Sequence, residues 1–433
     1  MKRFLSFILS TAMLISCSML ISPAAALEAK SNSELLAAVQ PLLDAEEQYY
    51  NINSASISDI STEVDGEITY YTFLLTLNMV LKIDDVSENV YVSTLMKALN
   101  NNANAKRAVS VNDETGIASL LLAHPSFDAI LATSTVNELL VETETAGNDI
   151  SISTPSLSSL EQSIATQAAK TIVADINEFA TYVGYSSDFN FVIRVGYNDD
   201  DEVISLEGQG VDDFFPLEEF YPMTQSEIQD AVANDVTGYI ERAAETVVKE
   251  TVSPTRGNTS FTYYRTDARD YTEDWTSTVS TAKACGHYDE NGNPEMPKQN
   301  MSLWNPDYTG YCHRDCANFV SQAMIAGGVK PDTTWKAGKD AFTKCTSQHE
   351  YFYETKEWWE KVSISTCNAG GIIYMVNSRG DQYHAMLCVL NDGSNKKWSA
   401  HTSDKKEATY KTDKTFGSAS VEYYRFTKVS PSH

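Results

Sequence analysis

The sequence predicts an α+β protein in two parts: helices on an antiparallel sheet first, then a second α+β domain that carries the chemistry. Three observations lead there. The chain has 433 residues, 42% of them hydrophobic, which is more than one ordinary domain and enough for more than one core. Residues 27–250 carry 9 Lys+Arg against 38 Asp+Glu, whereas residues 251–433 carry 21 of each. Along the chain, apolar residues recur first at helical spacing, then in extended runs. All six tryptophans and six of the seven histidines fall in the second part, so the two parts have different work.

The opening 26 residues are read apart from the fold. Lys2 and Arg3 precede an apolar stretch from Phe4 to Ile21, which ends in Pro23-Ala24-Ala25-Ala26. A basic start, an apolar run and a small-residue cleavage site make residues 1–26 a secretory signal peptide, so the mature chain is expected outside the cytoplasm. Cys17, after Leu14-Ile15-Ser16, offers lipid anchoring as a minor alternative, but the residues after it stay apolar where a tether would be polar. No later apolar run is long enough to span a bilayer, so no transmembrane segment is expected in the mature chain. The net charge of −27 argues against a nucleic-acid partner, because phosphate contacts need surplus Lys and Arg.

Residues 27–252 read as an acidic α+β domain. Leu35, Leu36, Val39 and Leu42 fall at helical spacing. The stretch from Thr69 to Ile83 is rich in aromatic and β-branched residues, as strands are. A second helix follows from Ile164, Ala168, Ile172 and Ile176. A strand runs from Phe189 to Gly196 and turns at Asn198-Asp199-Asp200-Asp201 into Val203-Ile204-Ser205-Leu206. Ile228, Val232, Val236 and Tyr239 outline a helix reaching Val247. No nucleophile motif stands out here, and the carboxylates read as a solvated surface. Ser253-Pro254-Thr255-Arg256-Gly257-Asn258 lies in a linker over residues 253–259.

Residues 260–433 hold the informative motifs. In Asp315-Cys316-Ala317-Asn318-Phe319-Val320-Ser321-Gln322, running on to Gly327-Gly328, the apolar residues line one side of a helix. Asp315 suits the N-cap and the glycine pair suits the stop, which puts Cys316 at the first helical position. Free N–H groups and the positive end of the helix dipole favour a thiolate there, and the same groups can polarise a carbonyl gaining charge. Gly371 to Val376 and Tyr383 to Val389 flank a glycine-containing turn and read as a β-hairpin with His384 on its second strand, facing the same way as Met386 and Cys388. The next short strand carries Ser399 and His401. If it pairs with its predecessor, His401 is placed to bond the far nitrogen of His384 as the third member of a nucleophile–base–orienter set, with Asp404 as the competing orienter. Cys316 has two other readings: a disulfide with nearby Cys312, and a zinc ligand in Cys312-His313-x-x-Cys316, which lacks the usual second pair.

The Asp-Cys-x-Asn-Phe-Val-Ser-Gln block at 315–322, the strand-borne His384 and His-Thr-x-Asp at 401–404 resemble the bacterial putative amidase domain family. Tyr263 to Trp275 resembles that family's opening helix. The resemblance covers about residues 260–425 and implies a papain-like α+β cysteine hydrolase fold, distantly related to CHAP peptidoglycan amidases. It carries catalytic roles to Cys316, His384 and His401. It implies a secreted cysteine amidase or peptidase that cleaves amide bonds through a thioester, with peptide substrates including peptidoglycan, and with neither metal nor organic cofactor. The competing expectation is a catalytically silent secreted binding or adhesion module on the same fold.

Overall fold

A computed structural model describes residues 30–101, 109–131, 157–211, 213–252, 262–278, 299–410, 413–417 and 419–427. The signal peptide, Cys17 and the linker at 253–259 lie outside the described residues. The chain separates into two compact units, residues 1–40 and 41–433.

In the first unit, helix α1 (Asn32–Ala38) is closed by a capping box. The Glu34 amide donates to Ser31 Oγ at 3.3 Å, and the Ser31 amide donates to the Glu34 carboxylate at 2.8 Å, so two otherwise unpaired donors are satisfied. The one helix expected through Leu42 is two. It stops at Val39, and α2 (Gln40–Glu46) starts afresh with Pro41 in its first turn, where the missing N–H costs nothing.

The second unit is α+β. Strand β1 (Tyr50–Asp65) pairs antiparallel with β2 (Ile68–Leu81). Strand β2 alternates buried and half-buried residues as a one-sided strand should, whereas β1 is exposed along most of its length. That is why β1 carried no apolar alternation in the sequence: it is a polar edge strand. Helices α3 (Val90–Asn101), α4 (Glu114–Leu122), α5 (Pro125–Leu131) and α6 (Leu157–Ala180) follow. Strands β3 (Ser187–Tyr197), β4 (Val203–Gln209) and β5 (Phe214–Pro216) continue the antiparallel pairing from β2, and α7 (Gln225–Val252) completes this part. Leu95, Ile117, Ile164, Ile172, Val232 and Val236 belong to a core built from α3 to α7 alone, so these helices bury their apolar stripes chiefly on one another.

Further along come α8 (Arg265–Asp274), α9 (Cys316–Ala326), α10 (Asp340–Thr343), α11 (Cys345–His349), β6 (Trp359–Val362), β7 (Ile372–Val376), β8 (Gln382–Asn391), β9 (Lys396–Ala400), β10 (Lys405–Tyr410) and β11 (Ser420–Phe426). The sheet order is β1-β2-β3-β10-β9-β8-β7-β11-β6, with β4 and β5 off β3. One parallel bridge, Ala408 opposite Asn190, joins β10 to β3 and makes the sheet mixed. Strand β8 alternates between two cores. Ala385, Leu387 and Val389 pack with Ala317, Val320 and Ala323 of α9. Met386 and Cys388 pack with Trp398, Ala400 and Tyr410 on the other face.

A buried polar network ties α6 and α7 to the far strands. Asp175 accepts two hydrogen bonds from Arg425 Nη1 at 2.7 and 2.8 Å, one from the Tyr239 hydroxyl at 2.6 Å and one from Asn368 Nδ2 at 3.1 Å. Arg425 also pairs with Glu360. A buried guanidinium needs such partners, and here they come from widely separated parts of the chain.

Candidate active site

Cys316 occupies the first position of α9, as its spacing predicts, and Gly327 and Gly328 end the helix, Gly328 at φ +94°. The side chain is a free thiol, 6% exposed. Cys312 is disulfide-bonded, but Cys316 is not its partner, so that alternative for Cys316 falls away.

Three groups and burial act on the sulfur. The Cys345 thiol, 3.5 Å away, donates to it and lowers its pKa most, while burial pushes the other way. His384 lowers it further by hydrogen bonding and by charge, and the Ala385 amide adds a donor. The net effect holds the Cys316 thiol well below the ordinary cysteine range. Cys345 moves in the opposite direction, raised by its bond to Cys316, by burial and by the neighbouring sulfur's charge. The two shifts together favour ionisation of Cys316 over Cys345.

His384 is 7% exposed and stands where β8 begins, next to a register shift. Met375 faces His384, yet Val376 faces Gln382, so Tyr383 is an extra residue and bulges outward, half exposed. Bulges re-aim neighbouring side chains, and here the neighbour is the imidazole beside Cys316. Nε2 of His384 has no oxygen or nitrogen partner among the described residues.

His401 does not meet His384, because both of its ring nitrogens are engaged elsewhere. Strand β9 does pair with β8, and Ser399 lies opposite Leu387. His401 shares the parity of Ser399, so it falls on the α9 side with Leu387, over the middle of α9 and against Asp315. Its ring is stacked between Phe319 and Trp304, with centroids 3.9 and 4.4 Å away. Nδ1 lies 2.7 Å from Asp315 Oδ2 and Nε2 2.6 Å from the Trp275 carbonyl oxygen, so both nitrogens face acceptors. The other Asp315 oxygen accepts from the Tyr311 amide and Asn318 Nδ2, each at 2.9 Å. Asp315 thus stands at the N-cap position without capping its helix, because its carboxylate is spent on His401 and the preceding turn. Asp404 does not reach His384 either. It accepts from Ser277 Oγ and the Asn300 amide at 2.8 Å, and burial raises its pKa.

The model of one protein family, described as a putative amidase domain, matches residues 262–424. That stretch, less than half of the chain, is similar to the putative amidase domain family. No curated protein and no solved structure matches the chain.

Within the amidase domain, two residues of the site escaped the sequence reading. Cys345 is 29 residues from Cys316 and sits at the start of a five-residue helix with no periodic pattern to announce it. Asp315 was read as a cap, although a carboxylate directly before the nucleophile and a histidine 86 residues later were both visible. Only the fold brings them together. Among the described residues no cluster of His, Cys, Asp and Glu is arranged to hold a metal ion, and no helix is long and apolar enough to cross a membrane. A buried thiolate beside an imidazole can attack a carbonyl carbon and hand a proton to a leaving group.

Proposed function

We propose that the amidase domain is a papain-like cysteine hydrolase that acts on amide bonds of peptides. The observation that carries this reading is the free Cys316 sulfur at a helix start with the His384 imidazole beside it. His384 takes the Cys316 thiol proton, the sulfur attacks the carbonyl carbon, and the oxyanion forms near the free N–H groups at the head of α9. His384 protonates the departing amine, leaving a thioester on Cys316. The same imidazole then takes a proton from water, and the hydroxide so formed releases the acid. His401 acts by holding Asp315, and with it the turn that presents the nucleophile. Export directed by residues 1–26 brings the enzyme to cell-wall peptides, the substrate class we infer.

The test is release of new amino groups from peptidoglycan and from peptide amides by the reduced full chain. Cys316→Ala and His384→Ala should each abolish release, and equal release by wild type and Cys316→Ala would sink the reading. The unpartnered Nε2 of His384 favours one second reading, a silent module that binds the wall without cutting it. Cosedimentation with peptidoglycan and no release by wild type is its signature.

A further inference from the structure

The nucleophile has a second sulfur beside it. Cys316 Sγ and Cys345 Sγ stand 3.5 Å apart, both are free thiols, and they are 6% and 7% exposed. A disulfide bond is about 2.05 Å long, so the two sulfurs need close by about 1.5 Å. Each cysteine stands at the first position of its own helix, α9 and α11. Cys367 and Cys388 are also free, but both are 0% exposed, and the Cys388 thiol already donates to the Cys367 and Leu390 carbonyls.

We propose that Cys316 and Cys345 are a redox pair, closing into a reversible disulfide that silences the nucleophile under oxidising conditions. The silencing rests on the reading of Cys316 as nucleophile; the crosslink itself does not. The oxidant is a hydroperoxide. The Cys316 thiolate attacks its terminal oxygen, the O–O bond breaks, and the displaced oxygen takes a proton, leaving a sulfenic acid on Cys316. The Cys345 sulfur then attacks the Cys316 sulfur. The S–S bond forms, the S–O bond breaks, and hydroxide leaves with the Cys345 proton as water. In sum, two thiols are oxidised by two electrons, and one hydroperoxide becomes water plus an alcohol, or two waters from hydrogen peroxide. The division of roles follows from the site: the sulfur whose ionisation is favoured is oxidised, and its neighbour resolves the product. A dithiol reductant restores both thiols by exchange. In the exported setting proposed above, this pair would keep the enzyme silent until reduced.

The experiment treats the reduced full chain with a small excess of hydrogen peroxide and maps its peptides without reduction. Expected is a peptide pair joining Cys316 to Cys345, lighter by two hydrogens, with Cys367 and Cys388 still alkylatable. Cys316 labelling by iodoacetamide should fall about tenfold or more and return with dithiothreitol, because a disulfide is reducible. In Cys345→Ala the labelling should also fall but not return, because an unresolved sulfenic acid goes on to sulfinic acid. Sulfinic acid at Cys316 in the wild type with no Cys316–Cys345 peptide would overturn the proposal, and that readout needs no variant to fold. The two readings also fail separately. A crosslink in a protein that never cleaves amides overturns the hydrolase and leaves the redox pair; cleavage without a crosslink overturns only the pair.

Discussion

Replacing His401 by Phe separates the anchoring role described above from a direct role on His384. The substitution keeps a flat ring between Phe319 and Trp304, whose centroids lie 3.9 and 4.4 Å from the imidazole, but removes both of its nitrogens. Asp315 Oδ2 loses a 2.7 Å bond and the Trp275 carbonyl a 2.6 Å bond, in a site where His401 and Asp315 side chains are each 1% exposed. Breaking a buried pair by deleting one partner costs about 3–5 kcal/mol, and an orphaned buried carbonyl costs about 1–3 kcal/mol. Asp315 keeps its bonds from the Tyr311 amide and Asn318, so the expected loss is about 3–5 kcal/mol in all. Urea denaturation followed by tryptophan fluorescence measures it, because all six tryptophans lie beyond residue 251 and report this part of the chain. Asp315→Asn and the double variant complete a cycle with an expected coupling of about 1–3 kcal/mol. Folded His401→Phe should still react with iodoacetamide at Cys316 at close to the wild-type rate. A loss under about 1 kcal/mol, combined with a collapse of Cys316 reactivity, would refute the reasoning and return His401 to the catalytic set.

Three further outcomes are expected. Alkylation of Cys316 in the reduced protein should stay fast as pH falls below about 8.5, the free-thiol value, and slow only near its lowered pKa; Cys345→Ala should move that midpoint up. The linkage signs explain why reactivity rather than stability is the readout. The lowered Cys316 pKa adds stability above the unfolded value that is lost as pH falls through the folded one, while the raised Cys345 pKa adds stability below the unfolded value that is lost as pH rises. Asp175→Asn leaves the buried Arg425 with Glu360 alone and should cost about 3–5 kcal/mol in a urea melt, a cost that Asp175→Leu/Arg425→Met together should largely relieve. A Cβ on Gly371 would meet Cys367 Sγ at 2.7 Å and the Asn368 carbonyl at 2.8 Å, so Gly371→Ala should cost about 1–3 kcal/mol by thermal melting, and an unchanged midpoint would contradict that packing.

The elements that sequence read correctly are those whose signal is local. Ile164 to Ile176, Ile228 to Tyr239 and Phe319 to Met324 repeat at helical spacing and lie on helices that bury those residues. The Gly371–Val389 hairpin alternates as a sheet buried on both faces allows. Strand β1 escaped because an exposed edge strand needs no apolar alternation. The helix break at Val39 escaped because Leu42 kept the period across Pro41.

What the sequence determined by itself was the place of Cys316 at the head of a helix and the strand that carries His384, since cap, period and stop lie within a dozen residues of one another. What the tertiary structure alone decided was which groups those two side chains meet. Strand register put His401 on the α9 face and against Asp315, and the packing of α9 beside α11 set Cys345 against Cys316. Register and helix docking are fixed by burial summed over whole strands and helices. No short stretch of sequence contains that sum.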